Sequence, residues 1–246
     1  LILANSGNTV ARERDLVRVL VEKQIDGMIV ASSASAGDHI LAAQERGVAV
    51  ILVDSEIPSL RADSVVIDNR GAAMMAVQHL VERGHRRIGI VTGPLLAAFD
   101  TQRLEGYRAA LVAAGLELRD DFVFKEDLLA HGGEKAIEEL ARLPVRPTAL
   151  FVANNMMTLG TLVGLKKAGL TVPGDISLIA FDDQEWYSVS QPPITGIVNP
   201  AYEMGRTAGD RMLLRLDRRQ TDLKVERLVL ETHLVERESI RKLRRP

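Results

Sequence analysis

Apolar residues run almost unbroken through Gly27-Met28-Ile29-Val30, Val48 to Val53, Val65-Val66-Ile67, Ile88 to Val91, Ala149 to Val152 and Ile176 to Ile179. Successive side chains of a strand point to opposite faces, so a strand with one wet face alternates apolar and polar residues. A strand that stays apolar is covered on both faces, as in parallel sheets flanked by helices. Stretches of helical period separate these runs. Leu16, Val17, Leu20 and Val21 share one face, as do Ala72, Ala73, Ala76, Val77 and Leu80, and then Leu104, Tyr107, Leu111 and Ala114. Gly84, Gly115 and Gly169 stand where such helices should stop. The βαβα rhythm predicts an α/β fold built on doubly wound parallel sheets.

The rhythm changes near the end. Gln191-Pro192-Pro193-Ile194-Thr195 reads as a turn into an extended segment, because each proline excludes helix at the residue before it. A helix with Met204, Ala208, Met212 and Leu216 on one face follows, and such a stripe is ordinarily core. Leu228 to Val235 alternates more and reads as one edge or antiparallel strand. The basic tail with Arg241, Lys242, Arg244 and Arg245 reads as solvated.

Composition removes several function classes. Aromatics are only 4% of the 246 residues, so the core must be aliphatic. No cysteine is present, which excludes disulfides, thiolate catalysis and Cys-ligated zinc. A net charge of -2 gives no whole-chain attraction to DNA or to an anionic membrane. No apolar run reaches the roughly 18 to 20 residues that span a bilayer, so no membrane partner is expected. The opening Leu1 to Asn5 reads as an apolar strand without the basic start of a signal peptide, and suggests a chain cut from something longer.

Enzyme signatures fail in turn. No G-x-G-x-x-G follows a strand, no G-x-x-x-x-G-K-[ST] occurs, and no G-x-S-x-G elbow is present. His39, His79, His85, His131 and His233 show no metal-ligand spacing, so neither metal nor cofactor is expected, and no enzyme. What remains are polar residues at the carboxyl ends of strands, where ligands bind in open α/β sheets. Asp68 and Asn69 follow Val65 to Ile67, Asn154 and Asn155 follow Ala149 to Ala153, and Asp182 and Asp183 follow Ile176 to Phe181. Arg103 opens a helix soon after Thr92-Gly93. Any one Asn or Asp here reads first as a helix cap or turn former. Four such groups on separate strand ends favour a binding site. Carboxylate, amide and guanidinium groups together suit the hydroxyls of a sugar or similar polyol. Trp186 lies four residues after Asp182 and reads as an apolar anchor or as a wall of that site.

These residues sit inside longer patterns. Leu80-Val81-Glu82-Arg83-Gly84-His85-Arg86-Arg87-Ile88 resembles the L-x-x-x-G-H-x-x-I segment of LacI/GalR transcriptional regulators. Arg103-Leu104-Glu105-Gly106-Tyr107 with Ala110-Leu111 is similar to their R-x-x-G-[FYW]-x-x-A-[LM]. Pro147-Thr148-Ala149 through Asn154 resembles P-T-A-[LI]-F-x-x-N-D, and Gly169 to Asp183 resembles G-L-x-V-P-x-D-[IV]-S-[LV]-[IV]-G-F-D-D. Pro192-Pro193-Ile194-Thr195 looks like the family's P-P-[LI]-T-T, and Leu234-Val235-Glu236-Arg237-Glu238-Ser239 is similar to its L-V-x-R-x-S.

The resemblance implies a periplasmic-binding-protein-like class I fold: two α/β lobes joined by three crossings, a small sugar-like effector between them, and a homodimer. It implies a cytoplasmic repressor, with operator DNA bound through an N-terminal helix-turn-helix absent from this chain. Arg103, Asn154 and Asp182 match the effector-touching positions. Asp68, Asn69, Leu128, Asn199 and Trp186 complete the expected effector site. Expected lobes are 1–85 with 201–227, and 86–200 with 228–246. Expected crossings fall near Gly84 to Ile88, Ile197 to Ala201 and Glu226 to Leu230. Asn155 departs from the family's Asp, Ala180 from its Gly, and Asn199 from a common Gln. Leu128 stands where many members carry an aromatic platform, which weakens stacking on a ligand. The alternative on the same fold is a periplasmic sugar-binding component of a transporter.

Overall fold

The computed structural model describes residues 1–32, 36–217 and 224–243. In chain order the elements are α1 (Val10–Glu22), β1 (Gly27–Val30), α2 (Asp38–Glu45), β2 (Ala49–Val53), β3 (Asp63–Ile67), α3 (Asn69–Glu82), β4 (Ile88–Thr92) and α4 (Ala98–Ala113). Then come β5 (Val123–Lys125), α5 (Ala130–Ala141), β6 (Ala149–Val152), α6 (Asn155–Lys167), β7 (Ser177–Phe181), α7 (Glu185–Val189), β8 (Thr195–Val198), α8 (Ala201–Leu216), β9 (Arg227–Leu230) and β10 (His233–Val235). The chain divides into two compact units, one of 1–67, 96–99 and 200–231, the other of 68–95, 100–199 and 232–246.

The first unit carries a four-stranded parallel sheet in the order β1-β2-β3-β9. Val17 of α1, Ile40 and Ala43 of α2, and Val50 and Leu52 of β2 belong to its apolar core. Met204 and Ala208 of α8 are buried, and a Cβ on Gly27 would lie 2.4 Å from Met212 Sδ, so the methionine stripe is core. Leu216, expected on the same face, is exposed.

A charged cluster joins α8 to this sheet. Asp63, fully buried at the start of β3, accepts hydrogen bonds from Arg211 Nε at 3.1 Å, Arg215 Nε at 2.9 Å, Arg215 Nη2 at 2.6 Å and the Glu226 backbone N–H at 2.8 Å. Burial alone would raise this carboxyl's pKa. The Arg215 hydrogen bond, the Glu226 N–H and the charges of Arg215 and Arg211 outweigh it and hold the group below the usual carboxylate range.

The second unit carries a six-stranded sheet, β10-β8-β7-β6-β4-β5, parallel except for antiparallel β10. All residues of β4, β6 and β7 are buried, as their unbroken apolar runs require. Helices α5 and α6 approach so closely that a Cβ on Gly160 would lie 1.6 Å from the Ala130 carbonyl oxygen.

The structure corrects several expectations. Helix α3 belongs to the second unit rather than to a lobe of residues 1–85, because its buried alanines, Val77 and Leu80 pack toward β6, β7, β8 and β10. The chain leaves the first unit at Ile67 and Asp68, not at Gly84 to Ile88. Leu228 to Val235 is two strands rather than one. β9 pairs in parallel with β3, the chain breaks at Glu231-Thr232, and β10 pairs antiparallel with β8. Residues 228–231 therefore lie in the first unit. Leu1 to Asn5 forms no strand, has no strand partner among the described residues, and leaves Leu1 and Leu3 exposed. Trp186 lies in the short helix α7. Arg244 and Arg245 of the basic tail lie outside the described residues.

Candidate functional site

Asn154, Asp182 and Asn199 stand at the carboxyl ends of strands in the second unit, whereas Asp68 and Asn69 follow β3 at the start of α3. Asp68 caps α3, accepting from the Gly71 N–H at 2.8 Å, and Asn69 opens that helix as a buried side chain. Asn69 Oδ1 accepts from Arg103 Nε at 2.8 Å, and Arg103 Nη1 donates to the Ala153 carbonyl at 2.7 Å, beyond the end of β6. The Arg103 guanidinium lies 3.5 Å from the ring centroid of Phe181, the last residue of β7. Stacking on a desolvated ring contributes about 2 kcal/mol and fixes the plane of the fork. At 3% exposure, Arg103 organises the floor of the site.

Two residues beyond Ala153, Asn155 Nδ2 donates to Asp182 Oδ2 at 2.9 Å, and Asn199 Nδ2 donates to Asp182 Oδ1 at 3.3 Å. Asp182 thus stands between two amides, one from the start of α6 and one just beyond β8. Its φ of +69° is in the left-handed region, where Asp is better tolerated than most residues and where strain clusters at binding sites. Its carbonyl oxygen would lie 2.7 Å from a Cβ on Gly196, so glycine is needed there for the close approach. The adjacent Asp183 is held by Arg237, with Nη1 to Oδ1 at 2.6 Å and Nη2 to Oδ2 at 2.9 Å, while Nη1 also donates to the Ile194 carbonyl at 2.7 Å. The Asp183 hydrogen bond raises the Arg237 pKa above its ordinary value. Beneath this turn Tyr187 is buried, and burial pushes its phenol pKa up.

Asn154 caps α6: its Oδ1 accepts from the N–H groups of Met156 at 2.8 Å and Met157 at 3.1 Å. The cap occupies only the oxygen. Its amide NH2 makes no hydrogen bond among the described residues and stays available to an acceptor.

Leu128 and Trp186 stand apart from this network. Both pack against the apolar cluster that contains Leu150, Val152, Met157 and Tyr187, and Trp186 meets Tyr187 edge-on at 4.4 Å between ring centroids. The structure thus brings Asn69, Arg103, Asn154, Asp182 and Asn199 to one end of one sheet, gives Asp68 only the cap of α3, and gives Leu128 and Trp186 core contacts. Sequence reasoning missed the parts played by Asn155, Phe181 and Arg237. Asn155 was read as a strand-end polar residue but not as a partner of Asp182, and Arg237 was visible only as a letter in a motif.

The chemistry available is hydrogen bonding to a polar ligand. Among the described residues no group of three or more His, Cys, Asp or Glu side chains is placed to hold a metal, and no helix is long and apolar enough to cross a membrane. In the first unit Ser32 Oγ donates to Glu13 Oε1 at 2.7 Å, and His39 Nε2 lies 2.7 Å from the same oxygen. Here Glu13 is central, so histidine does not bridge serine and acid as nucleophile activation requires.

Residues 77–240 match the family model described as a periplasmic binding protein-like domain. The HTH-type transcriptional repressor CytR of Escherichia coli strain K12 is 37% identical over 209 residues, covering 85% of this chain and 60% of that protein. The chain therefore spans less than two thirds of that relative. The HTH-type transcriptional repressor PurR of Aliivibrio salmonicida is 32% identical over 247 residues, covering 99% of this chain and 73% of that protein. Among solved structures, the complex of the transcriptional regulator CelR with cellobiose superposes with a TM-score of 0.84 at 33% identity, covering 94% of this chain and 71% of that one.

Proposed function

Because the chain belongs to the LacI/GalR family of transcriptional regulators, with the periplasmic-binding-protein-like fold of that family's effector-binding core, we propose that it senses a small polyol-like effector for a repressor. The observation that carries this reading is the Asp182 carboxylate, held in a left-handed turn between Asn155 and Asn199 at the sheet end that Arg103 organises. A carboxylate oriented by donors at its sides, with an unspent amide on Asn154, suits a sugar or nucleoside hydroxyl. CelR is solved with cellobiose, which favours the sugar class. The protein binds this ligand without transforming it and acts in the cytoplasm. Operator DNA is bound through a helix-turn-helix outside these 246 residues. The transport alternative loses ground, because the relatives matched at 37% and 32% identity are repressors.

The test is a thermal-shift screen of sugars and nucleosides followed by calorimetry. Losing a hydrogen bond to a charged group costs about 1.5 to 3 kcal/mol, so Asp182→Asn should weaken the effector by one to two decades with the fold intact. Unchanged affinity in Asp182→Asn and Arg103→Ala would refute the assignment.

The same reading includes a homodimer. Met156, Leu159 and Val163 form an exposed apolar stripe on α6, at the i, i+3, i+7 spacing of one helical face. Such a face suits an isologous contact. Sedimentation should give twice the 26.9 kDa chain mass at micromolar concentration, and a monomer would count against it.

A further inference from the structure

At the amino ends of β4, β6 and β7, the opposite end of the sheet from Asp182, the second unit holds a cavity of about 400 Å³. Three arginines line it: Arg87 just before β4, Arg146 just before β6, and Arg241 after β10. Pro147, Leu170 and Ile176 supply apolar wall.

The charge here is not balanced from within. Asp175 also lines the cavity; its Oδ2 accepts from the Thr171 N–H at 2.8 Å and the Thr171 hydroxyl at 2.6 Å, and its carboxylate, which also feels the charges of Arg241 and Arg146, offsets only one of the three arginines. Arg87 Nε donates to the Arg146 backbone carbonyl at 3.1 Å, which ties the Arg87 side chain to the segment just before β6. The Arg146 guanidinium makes no hydrogen bond or ion pair among the described residues. Arg241 is the most constrained of the three. Its N–H donates to Ser177 Oγ at 3.0 Å, and its carbonyl lies 3.1 Å from Nε2 of the fully buried His85. His85 Nδ1 in turn lies 2.9 Å from Thr148 Oγ1. Burial lowers the His85 pKa, so this support adds no charge at neutral pH. Arg241 Nε is buried with no hydrogen-bond partner, and its Nη2 reaches only the Asp175 carbonyl at 3.5 Å. A buried guanidinium donor left unmade is costly, and native structures ordinarily satisfy it.

We infer that this cavity is a second ligand site, taking a small organic anion whose phosphate or carboxylate group is gripped by Arg146 and Arg241 with Arg87 at the rim. Guanidinium forks match both oxyanions in bidentate geometry. Ligand pockets span about 300 to 1,000 Å³, so the cavity holds an oxyanion together with a few carbons resting on Pro147, Leu170 and Ile176. The site shares no residue with the Asp182 network and stands whether or not that network binds an effector.

The test is calorimetry on the full chain at low ionic strength with three probes: inorganic phosphate, glycerol 3-phosphate and succinate. Saturable binding of at least one is expected. A phosphate preference would identify phosphoesters as the class, and a succinate preference carboxylates. Arg146→Gln, whose side chain supports nothing in the fold, should weaken the bound probe at least tenfold. Arg241→Gln should do the same, and Arg142→Gln, an exposed arginine outside the cavity, should not. Absence of saturable binding by all three probes would overturn the proposal. So would binding that survives Arg146→Gln and Arg241→Gln, or that Arg142→Gln weakens equally.

Discussion

Asp63 offers the sharpest test of how the first unit is held together. Its carboxylate takes four hydrogen bonds, three from Arg211 and Arg215 on α8 and one from the backbone of Glu226 at the approach to β9. Asp63→Ala removes the shared acceptor and leaves Arg211 with the Glu226 carboxylate at 3.1 Å and Arg215 with the Lys224 carbonyl at 2.7 Å. Breaking a fully buried pair in this way costs about 3 to 5 kcal/mol. The Arg211 and Arg215 side chains retain 11% and 20% exposure and regain some hydration, which brings the expectation to about 2 to 4 kcal/mol. With a urea slope of about 2 to 3 kcal/mol per molar, the midpoint followed by circular dichroism should fall by about 1 M. The pH dependence has a definite sign. The folded pKa lies below that of an ordinary aspartate, so this stability is fully present above the unfolded pKa and is lost as pH falls through the folded one. The gap between parent and Asp63→Ala should be level from pH 8 to about 5 and close only in stronger acid. A difference under about 1 kcal/mol at pH 7, or a gap that closes toward alkaline pH, would refute the reasoning.

Other outcomes follow from the site and its support. Arg237→Ala removes the bidentate hold on Asp183 and should weaken the effector about tenfold through the adjoining Asp182 turn, as calorimetry would show; an unaltered affinity would mean the turn holds its shape alone. Trp186 lies against Tyr187 four residues after Asp182, so effector binding should change its emission; Trp186→Phe should abolish that signal while leaving affinity within about twofold, since the ring packs on core. Gly160→Ala would force a methyl to 1.6 Å from the Ala130 carbonyl, so α5 and α6 must part at a cost of at least about 1 to 3 kcal/mol in urea unfolding. With a net charge of -2, this chain alone should not select one operator over random DNA in a gel shift.

The strands were the most legible part of the fold. Val65-Val66-Ile67 and Ile88 to Val91 carry no polar residue for water to meet, so burial on both faces left them one kind of sheet. Helix α3 was equally clear as a helix, but its unit was not. An alanine face fits any close-packed partner, and only the tertiary contacts choose between two sheets. The change of sheet at Glu231-Thr232 was hidden because Leu228 to Val235 reads as one alternating stretch, and hydrophobic period carries no record of which neighbour supplies the hydrogen bonds. Within the site, Asp182 and Asn154 could be found because strand ends in α/β sheets are where ligands bind. Asn154 also shows that cap and binding group can be one residue, since the cap takes the oxygen and leaves the nitrogen. Arg237 was illegible as a brace because its partner Asp183 lies 54 residues away in sequence.

That sheet connectivity also sets an order of events during synthesis. Strand β3 needs β9 on one side, yet Asp63 and Glu226 are 163 residues apart, whereas every strand from β4 to β8 is made in between. At ribosomal rates of about 5 to 20 residues per second, β3 waits roughly ten to thirty seconds for its neighbour. During that interval a nascent chain presents a strand edge with unpaired amides and an acid without its arginines. Open edges of this kind recruit other strands. The window in which this protein is most prone to misassociate is therefore timed by translation, and it closes when the segment running from Arg211 to Leu230 leaves the exit tunnel.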